Sequence, residues 1–90
     1  MTEGYEWDEA KRRENWEKHG VDFESVQFFG WGTAVIERSD RYGEIRFGGV
    51  GYIGDHLHYV VFTERGDVTR IISLRRANTG ERIKYDQANV

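Results

Sequence analysis

The 90-residue sequence predicts an α+β fold. Helical stretches bounded by capping residues occupy the first thirty positions and the last dozen. Between them, from residue 34 onward, apolar residues recur with a period of two. Turn residues interrupt that region at roughly ten-residue intervals, a spacing that gives an antiparallel meander. The expected order is a short N-terminal strand, two helices, a four-stranded antiparallel meander and a C-terminal helix. The helices are expected to cover one sheet face. Ninety residues suit a single domain over 1–90, with no repeat, linker or low-complexity segment.

Tyr5 and Trp7 flank Glu6 in a short alternating piece that reads as an edge strand. Asp8 is an N-cap and Glu9 suits the positive end of a helix over 8–19, which Gly20 closes. Its apolar content is thin, only Ala10 and Trp16, while Lys11, Asn15 and His19 form one polar stripe. The stripe is either a solvated surface or an edge facing a ligand or partner. Asp22 caps a second, short helix, with Val21 and Val26 placed as a hydrophobic staple. Phe23, Val26, Phe28 and Phe29 are its expected core residues. Residues 34–37, 44–52, 57–63 and 68–75 read as strands, separated by turns at 39–43, 54–55 and 65–67. Asn78 and Glu81 make a capping box that starts the last helix, and residues 86–90 are expected to be loose.

Composition narrows the chemistry. No Cys is present, which removes disulfides, zinc ribbons and thiol nucleophiles and fits a reducing, cytoplasmic setting. No run approaches the ~20 apolar residues of a membrane helix, and the acidic start MTEGYEWDEAK lacks a secretory apolar run. Net charge is −3 but uneven. Residues 1–30 carry four basic and eight acidic side chains, among them Glu3, Glu6, Glu9, Glu14 and Glu17. Residues 70–85, RIISLRRANTGERIKY, carry five basic and one acidic. A low overall charge argues weakly against indiscriminate nucleic-acid binding, but the field a ligand meets is local at physiological salt, so a basic patch still permits it.

On the last strand, alternation puts Ile72 and Leu74 on the core face and Ile71, Ser73 and Arg75 on the more open one. Arg76 stands at the strand exit, just before a helix N-terminus with free N–H groups. Two arginines beside a helix start suit a phosphate. The alternative is that they pair with carboxylates on a solvated surface. GVGYIG, at 49–54, has dinucleotide-binding glycine spacing but precedes a turn and a strand instead of opening a helix, which excludes that reading. Its glycines instead allow strand bending or close backbone approach. His56 and His58 share a strand face but lack an evident third metal ligand, so a metal-dependent enzyme is the weakest reading. Ser73 has no evident His–Asp arrangement beside it, and Tyr85 is a core, stacking or hydroxyl group.

Three blocks together resemble the BrnT family: WDEAKRRENWEKHGVDFE (7–24), RYGEIRF (41–47) and VVFTERGDVTRIISLRRANTGERIKY (60–85). The resemblance covers most of the chain, in order and at natural spacings. It implies a RelE-like fold and an endoribonuclease toxin of a type II toxin–antitoxin pair that inhibits translation. It implies a BrnA-like ribbon-helix-helix antitoxin as partner, RNA as substrate, contact with DNA only through the antitoxin, and no cofactor or metal. RelE-like ribonucleases position RNA so that a 2′-hydroxyl attacks the adjacent phosphate, which needs cations and proton-moving groups. The matching positions give Arg75, Arg65, His19 and Lys11 as catalytic candidates. Ser73, Arg76, Arg70 and Tyr85 are candidates for substrate binding. Two departures from the family pattern stand out: the acidic balance, and the Gly- and His-rich segment GGVGYIGDHLHYV at 48–60. They fit an RNA-cleaving protein whose acids, gathered in the first helical region, lie away from the site, or else the alternative of a non-catalytic protein- or RNA-binding module of the same fold.

Overall fold

A computed structural model describes residues 4–41 and 43–90. Glu3 of the acidic run and Tyr42 of the expected first turn lie outside the described residues. The elements are β1 (Gly4–Glu6), α1 (Glu9–His19), a 3₁₀ segment (Phe23–Phe28), β2 (Val35–Arg41), β3 (Glu44–Ile53), β4 (His56–Arg65), β5 (Val68–Arg76) and α2 (Thr79–Ala88). The five strands form one sheet in the order β1-β5-β4-β3-β2. The last four make the expected meander, and β1 joins β5 in parallel at the edge.

Local chemistry explains most boundaries. Asp8 Oδ1 accepts from the N–H groups of Ala10 and Lys11, and Gly20 closes α1 in the left-handed region at φ 68°. Asn78 and Glu81 form the complete capping box of α2. Strand β2 runs through Ser39 and Asp40, which the sequence assigned to a turn; Arg38 pairs with Asp40 there, and β3 holds the whole strand in register. Helix α2 likewise continues to Ala88, and Asn89 Nδ2 donates to Thr33 O, so the C-terminal residues are less loose than expected.

The two faces are covered differently. In register across β3, β4 and β5, Gly49, Val60 and Leu74 share one face, as do Phe47, Phe62 and Ile71. Phe23, Val26 and Phe29 pack there, with Trp7, Val21 and Trp31 around them. Phe28 does not join them; it is 69% exposed, because the 3₁₀ segment turns faster than an α-helix and swings it outward. The opposite face carries Val50 and Leu57, and α2 covers them with Tyr85. The helices therefore do not share one face: α2 lies across the sheet from the 3₁₀ segment.

Three glycines of β3 make room for neighbouring side chains. A Cβ on Gly51 would stand 2.6 Å from the Phe29 ring, and one on Gly49 2.7 Å from Ile36 Cδ1. On Gly48 it would overlap the Tyr59 hydroxyl. Within GVGYIG, Gly49 and Gly51 thus serve close side-chain approach to the backbone, and Gly54 serves the turn at φ 60°. Gly51→Ala is expected to destabilise the fold by about 1–3 kcal/mol, since the buried Phe29 ring must move. Gly32→Ala, which meets nothing within 4 Å, should stay within about 0.5 kcal/mol. Thermal unfolding of both variants checks this, and equal melting temperatures would refute it.

Candidate functional site

Strand β5 contains the feature that shapes the site. Its register against β4 shifts between Val61 and Phe62: Ser73 faces Val61 and Ile71 faces Phe62, leaving Ile72 unmatched. This bulge corrects the expected alternation. Ile71 (1% exposed) and Leu74 (0%) are core, whereas Ile72 turns to the open face with Ser73.

On that face the rung Gly48–Val61–Ser73 forms a low floor across three strands. Tyr59 and Arg75, directly opposed in register, rise on one side, and the opposed pair Ser39 and Arg46 on the other. Together with Phe47 and Ile72 they line a groove of about 360 Å³. A second hollow of about 140 Å³ shares Ile72 and Ser73 and is walled by Lys11, Glu14, Asn15, Lys18 and His19 of α1. The two hollows adjoin at Ile72 and Ser73, the first beside Arg75 and the second beside α1.

Helix α1 is held there by Asn15, not by apolar packing. β1 pairs with only the first part of β5, so the outer backbone of Leu74 lacks a strand partner. Asn15 supplies one: its Oδ1 accepts from Leu74 N at 3.2 Å, and its Nδ2 donates to Leu74 O at 2.7 Å and Val21 O at 2.9 Å. The polar stripe is thus split, solvated at its two ends and buried at its centre. Asn15 is buried, and Lys11 and His19, one turn to either side, stay exposed at the hollow.

Arg75 is held by several partners. Its Nη1 and Nη2 donate to Glu81 Oε1 and Oε2 at 2.9 and 2.8 Å, and Nη1 also donates to Arg76 O. Its guanidinium carbon lies 4.6 Å from the Tyr59 ring centroid. The Glu81 hydrogen bonds hold the Arg75 pKa above its ordinary value despite partial burial. Burial pushes the Glu81 carboxyl up, but the Arg75 bonds, the Asn78 N–H and the nearby cations outweigh it, leaving the carboxyl below its usual range.

The other candidates are dispersed. Arg65 ends β4 beside the Gly66 turn and does not line the groove. Arg70 binds Glu6 Oε2 at 2.6 Å. Arg76 sits on the opposite face, opposed to His58, with its Nη2 3.0 Å from His56 Nδ1. Tyr85 is buried under α2, its hydroxyl 2.9 Å from Thr33 Oγ1. His58 is also buried, and its Nδ1 lies 2.8 Å from His56 O. Lys84 binds Glu37. The basic run of residues 70–85 is therefore not a basic patch in space: three of its cations each meet a carboxylate.

Arg46, Tyr59, Lys18 and Glu81 are groove or support residues that the sequence did not single out. Glu81 alone had a visible signal, its capping-box position, and that signal pointed to the helix and not to Arg75.

The family model for the ribonuclease toxin BrnT of type II toxin–antitoxin systems matches residues 7–81. The chain belongs to the BrnT toxin family. Its fold is similar to the 1.1 Å crystal structure of the Brucella abortus ribonuclease toxin BrnT, with a TM-score of 0.71 at 29% identity, covering 88% of this chain and 100% of that one. No curated protein matches the chain. BrnT-family membership makes it a ribonuclease toxin by descent and one half of a toxin–antitoxin pair. Lys11, His19, Ser73, Arg75 and Glu81 all fall inside the BrnT match. Among the described residues, no helix is long and apolar enough to cross a membrane.

Proposed function

We propose that this chain is an endoribonuclease that cleaves RNA in the cytoplasm without a metal ion and so inhibits translation. The observation that carries the reading is the pair of adjoining hollows, with Arg75 in one, Lys11 and His19 in the other, and Ser73 lining both. RNA can cleave itself when its 2′-hydroxyl is held in line with the adjacent phosphorus. The O2′–P bond forms, the P–O5′ bond breaks, and the products are a 2′,3′-cyclic phosphate and a 5′-hydroxyl. The protein must fix that geometry and offset the charge on the phosphate. Arg75 is the phosphate ligand, and Ser73 a hydrogen-bond donor to the RNA backbone. His19 and Lys11 are the groups that move protons or hold the neighbouring nucleotide. Arg65, Arg70, Arg76 and Tyr85 are left out of this site because their positions and partners hold them elsewhere. The partner is a BrnA-like ribbon-helix-helix antitoxin, through which alone the chain reaches DNA.

A second reading, binding without cleavage, is favoured by the −3 net charge and by the carboxylate already on Arg75. Purified chain incubated with total RNA in excess EDTA separates the two. Cleavage yielding 2′,3′-cyclic phosphate and 5′-hydroxyl ends is expected, with loss of amino-acid incorporation and growth when the chain is induced alone. Restored growth on co-expressing a ribbon-helix-helix protein from the adjacent reading frame supports the partner. Intact RNA beside folded protein would sink the catalytic reading.

A further inference from the structure

Carboxylate and phosphate compete for the same guanidinium donors. Here Glu81 grips Arg75 through two bonds from a site with only 15% of its side chain exposed. Capping α2 does not require this. The cap needs Glu81 to accept from Asn78 N, which Oε1 does at 2.9 Å, and that bond alone completes the box.

A guanidinium offers five N–H donors. Two from Nη1 are taken by Glu81 and Arg76 O, and one from Nη2 by Glu81. What remains is the side edge, Nε–H and the second Nη2–H. That edge is itself a fork matched to two phosphate oxygens. The Tyr59 ring, with its centroid 4.6 Å from the guanidinium carbon, adds a cation–π contact on one face. The guanidinium is thus clamped at its end and on one face, and only its side edge is left to a ligand.

We propose that Glu81 is a positioning residue for Arg75: it anchors the end of the guanidinium to the start of α2 so that the side edge is presented to the scissile phosphate. This inference rests on the ribonuclease reading. It carries a specific signature, because a nearby carboxylate repels phosphate while it orients the arginine. Removing the charge relieves repulsion in the bound state and loses alignment in the transition state.

Glu81→Gln is the test, since glutamine keeps the capping box. Cleavage by this variant is expected to slow about tenfold or more, as misalignment does. Binding of a 2′-O-methyl RNA oligonucleotide, which cannot be cut, should tighten by roughly two- to fivefold as the repulsion goes. Asn78→Ala, which removes the cap but not the clamp, should change neither ratio, so a stability loss alone is separable. Both Glu81→Gln effects should disappear in the Arg75→Ala background. Cleavage and binding lost in equal proportion, or a loss that persists without Arg75, would overturn the proposal. If wild type binds the oligonucleotide but never cuts RNA, the ribonuclease reading fails. The clamp is then still decided by whether Glu81→Gln changes binding only when Arg75 is present. If wild type does neither, both fall.

Discussion

Asn15→Ala is expected to destabilise the protein by about 3 kcal/mol, because three hydrogen bonds vanish and the buried backbone groups they satisfied are left without partners. Each orphaned buried group costs about 1–3 kcal/mol, and Leu74 alone would lose a partner for both its N–H and its C=O. Against a total stability of about 5–15 kcal/mol that is a large fraction. The effect exceeds that of removing any exposed ion pair, such as Lys18–Glu14, whose contribution falls in the range of about 0–1 kcal/mol. Urea unfolding followed by tryptophan fluorescence should show the midpoint falling by at least 1 M, given slopes of about 1–3 kcal/mol/M. A shift under about 0.3 M would mean that water replaces the amide without penalty. The variant should also lose RNA cleavage at temperatures where it remains folded. Asn15 is what holds α1, and with it Lys11 and His19, against the edge of β5.

The fold was legible where a signal is local. Asp8 and Gly20 bound α1, Gly54 and Gly66 mark two hairpins by positive φ, and the Asn78–Glu81 box starts α2. It was illegible where one residue changes the meaning of all its neighbours. In Arg70–Ile71–Ile72–Ser73–Leu74 both isoleucines are apolar, so nothing in the run says which of them a bulge leaves out. The strict alternation chosen from sequence buries Ile72 where the structure buries Ile71. The face covered by α2 was hidden for a different reason. Its apolar residues are few, Ile83 faces solvent, and only Tyr85 is buried, so helical periodicity gives the docking no direction. Of the candidate residues, Arg75 and Ser73 line one hollow and Lys11, His19 and Ser73 line its neighbour, but the density of positive charge that drew attention to residues 70–85 is a property of the chain and not of the surface. Glu6 and Glu37, distant in sequence, meet Arg70 and Lys84. Sequence proximity cannot reveal such pairs, because strand alternation sends neighbouring arginines to opposite faces and partner strands bring the carboxylates.

Arg75→Ala should abolish most cleavage, by about 10²–10³-fold, the range for removing one preorganised donor from developing charge. Arg75→Lys should recover only a small part of it. A lysine supplies charge but no fork, and it cannot satisfy both oxygens of Glu81 and a phosphate together. The same substitution to alanine has a stability effect with a definite pH dependence. In the wild type Glu81 is held below its ordinary value of 4.5, so its pairing contributes stability above that pH and loses it as pH falls through the depressed value. Without Arg75 that contribution is gone, and burial, which raises the Glu81 pKa, is opposed only by the Asn78 N–H and Lys84. The stability gap between wild type and Arg75→Ala should therefore be full at neutral pH and narrow as pH drops below about 4.5. Urea unfolding at pH 7 and at pH 3.5 measures both gaps. A gap that stays constant, or widens in acid, would mean that Arg75 stabilises the fold through its stacking on Tyr59 and not through Glu81. The clamp would then be a consequence of packing, and the orientation of the arginine over the groove would have to come from the aromatic ring alone.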